Sequence, residues 1–279
     1  MARQTTSPIK GIYQDQEFQV QEYLPDSLFL QAATIAGDIQ GDSPAVRVPY
    51  VSQDPTVGFV AEGAEINEND PTLDEVLITT AKLAVLVSQS NESLAYPTAG
   101  QLITSSLTRT LTQKADHVFL QNTPAQNTSQ PTGLLNTTGT TQGPAWGGDD
   151  PTKDLDAIAT AISQIEANNG QATHIIMSPT AWLHYASLKD NNSNYQLGQP
   201  GTTVTRQLWG LPVLTSSQAP DDKIAVIDKT TIIGATSGLK LTLSDQAAFT
   251  SDSVLWRCTW RLGWNTPHPE RNAILTKTA

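Results

Sequence analysis

Val254-Leu255-Trp256-Arg257-Cys258-Thr259-Trp260-Arg261-Leu262-Gly263-Trp264 carries the firmest pattern in the chain. Its even positions, Val254, Trp256, Cys258, Trp260, Leu262 and Trp264, are all apolar, while Arg257, Thr259 and Arg261 stand at odd ones. Strand side chains alternate between faces, so the stretch reads as a strand with one buried face. Tryptophans four apart also suit a helix. A helix, however, would gather the two arginines into a stripe of their own and leave Val254, Cys258 and Leu262 unexplained. Leu239, Leu241 and Leu243 alternate likewise and supply an antiparallel partner.

Further upstream, Val46, Val48 and Tyr50 alternate with Arg47 and Pro49, and Pro49 suits an edge strand because it donates no ladder hydrogen bond. A second strand spans Asp74 to about Ser88, and the stretch between them, Gly58 to Pro71, is acidic and turn-rich. Together these predict a long hairpin. A two-stranded ribbon is marginal alone in water, so support from a neighbouring subunit is expected. Residues 1 to about 40 are polar with no sustained period, and read as an extended arm that also needs a partner.

Past Pro97, Ile103, Leu107, Leu111, Ala115, Val118 and Phe119 recur at helical spacing and predict a long amphipathic helix. Gln121 to Asp150, rich in Asn, Thr, Gly and Pro, reads as a loop and a domain boundary. A second helix follows, with Asp150 as N-cap, Pro151 in its first position, apolar Leu155, Ile158, Ile162 and Ile165, and Gly170 past its end. A strand from Thr173 to Met177 and a helix from Pro179 to about Lys189 complete an α/β or α+β lobe.

The chain has 279 residues and a net charge of −11 from 16 basic and 27 acidic side chains, which argues against gripping nucleic acid through a basic face. One cysteine supplies neither an internal disulfide nor a Cys-based zinc site. No signal peptide or membrane span is visible, and a cytoplasmic product is expected. The stretch Gly234 to Lys240 lacks the spacing of a phosphate-binding loop and reads as a turn. His117, His174, His184 and His268 are dispersed. The acidic cluster Glu62, Glu65, Glu68, Asp70, Asp74 and Glu75 fits no calcium loop and reads as solvated or as a subunit contact. Cys258 reads as inert packing. Arg257 and Arg261 form either a solvated face or a contact with an acidic neighbour. No catalytic residue, metal ligand or cofactor is assigned.

Taken in order, several short motifs point further: the hairpin tip Ala61-Glu62-Gly63-Ala64-Glu65-Ile66 and its return Lys82 to Ser88; Ser90-Asn91-Glu92-Ser93-Leu94; Pro131-Thr132-Gly133-Leu134-Leu135; and Ile175 to Pro179. Leu188-Lys189-Asp190 with Tyr195 and Leu197, Leu208 to Val213, then Arg257, Arg261 and Pro269 to Leu275 follow. Over roughly residues 43 to 279 this order resembles the major capsid proteins of tailed double-stranded DNA phages, the Hong Kong 97-type fold.

The resemblance implies an α+β chain with an N-terminal arm (1–42), an E-loop hairpin (43–90), a P-domain with spine helix (91–148), an A-domain (149–238) and return strands of the P-domain (239–279). It implies a structural protein, not an enzyme, that self-assembles as hexamers and pentamers into an icosahedral shell enclosing phage double-stranded DNA. Arg47, Phe59, Glu62, Glu65, Arg257 and Arg261 become candidates for subunit contacts. Expected partners are further copies, a portal protein, a scaffolding protein and a decoration or cement protein, with DNA packaged but not specifically bound and no membrane. The shell would form in the host cytoplasm and persist as the virion capsid. With the first hairpin strand near residue 45, no room is expected for a cleaved scaffolding segment. Some members of the family cross-link an E-loop lysine to a neighbour's asparagine; no lysine stands between Ala45 and Ala81, so contacts are expected to be non-covalent. Two other classes remain open, an encapsulin-type cellular shell and a soluble enzyme or binding module.

Overall fold

A computed structural model of the chain describes residues 16–18, 27–39, 43–53, 55, 57–60, 63, 70–94, 99–124, 130–148, 151–189, 192–197 and 206–278. Its elements run β1 (Gln16–Phe18), α1 (Leu28–Ala32), β2 (Thr34–Asp38), β3 (Ala45–Gln53), β4 (Thr72–Ser90), α2 (Asn91–Leu94), α3 (Ala99–Gln121) and β5 (Thr141–Gln142). There follow α4 (Pro151–Ala167), β6 (His174–Met177), α5 (Pro179–Ala186), β7 (Gln207–Leu208), β8 (Leu211–Thr215) and β9 (Lys223–Ile227). The last four strands are β10 (Ile233–Thr236), β11 (Leu239–Ala248), β12 (Ser253–Asn265) and β13 (Ala273–Thr276).

Among the described residues the strands form a seven-stranded and a six-stranded sheet. The Trp-rich strand β12 is the axis of the first. Along one edge it pairs antiparallel with β4, from Ser253 opposite Ser90 to Gly263 opposite Thr80. Along the other it pairs with β11 in its first half and with β10 in its last. The even positions face the core: Trp260 is fully buried and Val254, Cys258, Leu262 and Trp264 are buried, while Trp256 is half-buried. Onto this face pack Leu107, Leu111, Ala115 and Phe119 of α3, and Phe29 of α1. Phe29 meets Phe119 at 5.6 Å and Trp264 at 5.7 Å between ring centres, tilted or edge-on contacts worth about 0.5–1.5 kcal/mol each beyond burial. Gly263 is required by sterics, since a Cβ there would run into the carbonyl of Thr79 as β4 passes.

β4 changes its buried face part-way along. Up to Thr80 the even positions Val76 and Ile78 are buried, in a small core with Ile39 and Ala235. Beyond it the odd positions Leu83, Val85 and Val87 turn to the main core. The expected hairpin is therefore two things: β3 pairs only with residues 72–79 of β4, and residues 80–90 belong to the first sheet. Half of the support expected from a neighbour comes from the chain itself.

In the second sheet the order is β5-β13-β9-β6-β8-β7. Ala157, Ile158, Ala161 and Ile165 of α4 pack on it, with Tyr185 of α5. α5 begins where the Ser178 hydroxyl accepts the Ala181 N–H at 3.1 Å, with Pro179 in the first turn.

Three expectations need correction. The segment read as an unsupported arm contributes Leu28, Phe29 and Ala32 to the main core. The stretch read as a linker buries Leu134, Leu135 and Trp146, and Thr141–Gln142 pairs parallel with β13. The sheets also divide the chain differently at its end: β10 joins the first sheet, and β13, in the expected return, pairs antiparallel with β9 in the second. Ala273, Ile274 and Leu275 are buried in succession, the mark of a strand covered on both faces. The expected N-cap Asp150 lies outside the described residues.

Candidate functional site

The ribbon of β3 with residues 72–79 turns its even positions inward, so its odd positions form an outer face. Arg47, Pro49, Leu73, Glu75 and Leu77 stand there with Asp74 and line an open groove of about 600 Å³. Arg47 Nη1 lies 3.1 Å from Glu75 Oε2, both side chains well exposed, an ion pair worth at most about 1 kcal/mol in water. At the far end Val57 and Phe59 are almost wholly exposed, and Leu73 is 70% exposed. Single exposed apolar residues are ordinary, but this many on one projecting element mark an interaction surface.

Of the six candidate contact residues, Arg47 and Phe59 share this ribbon, and Glu62 and Glu65 lie outside the described residues. Arg257 and Arg261 are on β12, on the face opposite the tryptophans. Arg257 is exposed, its Nη2 3.5 Å from Thr242 Oγ1. Arg261 is turned to its own chain: Nη1 donates to Thr80 Oγ1 at 3.0 Å, and the Thr80 hydroxyl donates to the Ser43 carbonyl at 2.7 Å. That arrangement ties together the two chain segments at the neck of the ribbon.

Sequence reasoning passed over two buried carboxylates. Asp154 on α4 accepts the Gly147 N–H at 2.6 Å through Oδ1, and its Oδ2 lies 2.6 Å from His184 Nε2. The pair fastens α4, α5 and the loop carrying Trp146, whose ring packs beside those of His184 and Tyr185. Burial pushes the Tyr185 hydroxyl far above its ordinary range, away from acid–base use near neutrality. Asp116 on α3 is buried, and its carboxyl is pushed up to about 6 by that burial, against the opposing pull of the Leu28 N–H and the Ser27 hydroxyl. Cys258 is buried and pushed up to about 11, an inert thiol. No cluster of three or more His, Cys, Asp or Glu able to hold a metal occurs among the described residues. Each arrangement fastens the fold and none assembles a nucleophile with a base.

The sequence model of the Phage capsid family matches residues 20–276. The chain belongs to that family. Over 65 residues this capsid chain is 40% identical to the major capsid protein of Enterobacteria phage HK97, a match spanning 23% of the chain and 17% of that relative. Its fold is similar to the capsid of an empty GTA particle (TM-score 0.69, 17% identity, covering 100% of this chain and 96% of that one). It is also similar to a protein of Microbacterium phage Oxtober96 (TM-score 0.70, 15% identity, 98% and 96% coverage) and to one of Gordonia phage Cozz (0.70, 18%, 91% and 87%). The capsid chain is thus a structural protein of a phage capsid, with an α+β fold, and not an enzyme.

Proposed function

We propose that copies of this chain assemble as hexamers and pentamers into an icosahedral shell enclosing double-stranded phage DNA, built in the host cytoplasm. A portal protein, a separate scaffolding protein and a decoration or cement protein are further partners in this reading, and the DNA is held without specific contacts. One observation carries it: a ribbon tied to its own sheet only at the neck exposes Val57, Phe59 and Leu73 on an element that does not bury them itself. Apolar area removed from water yields about 25 cal/mol per Å², less the cost of association, so seating that ribbon on neighbours favours a closed lattice. Arg47, Phe59, Glu62, Glu65 and Arg257 make contacts between copies, and Arg261 holds the base from which the ribbon reaches them. The net negative chain suits a wall that must release its DNA. Electron microscopy of the purified protein tests this: closed particles with fivefold and sixfold capsomers are expected, and only small soluble oligomers at assembly concentrations would overturn it.

A further inference from the structure

The first sheet has one face under α3 and one open. Strand register puts Lys82 opposite Arg261 and Leu86 opposite Arg257 on that open face, and Thr259, which neighbours both arginines there, faces Lys240 across the β11 edge. Four of the chain's 16 basic side chains therefore share three adjacent strands, with the 62%-exposed Leu86 among them. At the paired positions of β4, β11 and β12 that share this face no carboxylate occurs; the arm strand β1 sets Glu17 opposite Lys240 at the outer edge. A solvated antiparallel face in a chain of net charge −11 would be expected to mix signs or favour acid.

The hairpin has the opposite bias. Between Ala45 and Ala81 the sequence holds seven carboxylates, Asp54, Glu62, Glu65, Glu68, Asp70, Asp74 and Glu75, against the single Arg47. The two surfaces cannot meet within one chain. Leu73 and Leu86 lie on one unbroken strand, and at roughly 3.3 Å per residue they stand about 40 Å apart, so the acidic end points away from its own basic face.

Resting on the shell reading, we infer that the open face bearing Lys82, Arg257 and Lys240 is the seat for the acidic hairpin of a second copy of this chain. The exposed Leu86 receives its apolar side chains, and charge complementarity fixes the register of one copy on the next. Arg257 carries the charge at the centre of the face, and the fork of its guanidinium suits a carboxylate.

The test is charge reversal with a swap. The pair Arg257→Glu and Lys82→Glu should leave the far-ultraviolet circular dichroism of the unassembled protein unchanged and lower the yield of particles about tenfold or more, as like charges now face each other. The milder Arg257→Gln with Lys82→Gln serves if the reversal misfolds. Adding Glu62→Lys, Glu65→Lys and Glu68→Lys to the reversed chain should restore particles. Folded reversed protein that assembles as well as the parent, or a swap that rescues nothing, would overturn the inference while leaving the shell standing. Retention of a duplex DNA oligonucleotide by the parent, lost on reversal, would assign the face to nucleic acid and also overturn it. A parent that forms no particles counts against the shell reading instead.

Discussion

Asp116, in the middle of α3, accepts the backbone N–H of Leu28 at 2.8 Å across 88 positions of sequence. Its carboxylate caps the first turn of α1 from another helix, because Ser27, the residue before that turn, makes no side-chain cap of its own. Burying the charge has a cost, and the pH dependence follows from it. A carboxyl raised from 3.8 to about 6 in the folded protein contributes stability that is complete below its unfolded value and is lost as pH rises through about 6. At about 1.4 kcal/mol per unit the loss is on the order of 3 kcal/mol. Asp116→Asn keeps an oxygen for Leu28 and removes the charge, so its melting temperature should exceed the parent's at pH 7.5 and converge with it near pH 4. Parallel melting curves across that range would refute the assignment.

Trp260 is fully buried and its indole N–H donates to Thr236 Oγ1 at 2.8 Å. Trp260→Ala should cost about 3–5 kcal/mol and yield insoluble protein, whereas Trp256→Ala, at a half-buried position, should remain soluble with a smaller loss. Soluble expression and thermal melts decide, and equal behaviour of the two would contradict the burial difference.

At the neck of the ribbon, Thr80→Val removes the acceptor of the Arg261 guanidinium and the donor to Ser43 in one step. About 1–3 kcal/mol should be lost. Hydrogen exchange locates it: residues 45–53 and 72–79 should exchange faster and residues 83–90 should hold. Uniform acceleration would mean that Thr80 supports the whole sheet, not the ribbon.

Mature particles boiled with reductant should run as a single band near 30.0 kDa. The nearest lysine to the ribbon's end, Lys82, stands within the first sheet opposite Arg261, ten residues past the start of β4. A ladder of covalently linked copies would be incompatible with that placement.

The Trp-rich strand was legible because alternation is a local signal: each residue from Val254 to Trp264 declares its face without reference to the rest of the chain. α3 and α4 were legible for the same reason at the helical period. What local pattern could not convey is partnership. β4 read as the return of a hairpin because Val76 and Ile78 match β3. The change of buried face at Thr80, visible in the sequence only as Leu83, Val85 and Val87 falling out of phase, marks the strand's passage to a partner some 170 positions away. Trp146 and Leu134 were lost among Asn, Thr and Gly, which dominate any average over that segment. Of the candidate site, the acidic hairpin was plain from composition. Its basic counterpart was not, since Lys82, Lys240 and Arg257 converge only through strand pairing.

The placement of β12 and β13 sets a clock on each copy. β12 lies between β4 and the β10–β11 edge, and β13 lies between β5 and β9. During synthesis from the N-terminus, the floor on which α3 rests and the inner rank of the second sheet are therefore the last pieces to leave the ribosome. Until they do, Phe29, Phe119 and Ile158 have no closed surface to pack on, and Lys82 and Arg257 do not yet stand side by side. A nascent chain can display the acidic hairpin early, but it has nowhere to receive another. Growth of an assembly is thereby restricted to finished copies, by folding order alone and without a dedicated checkpoint.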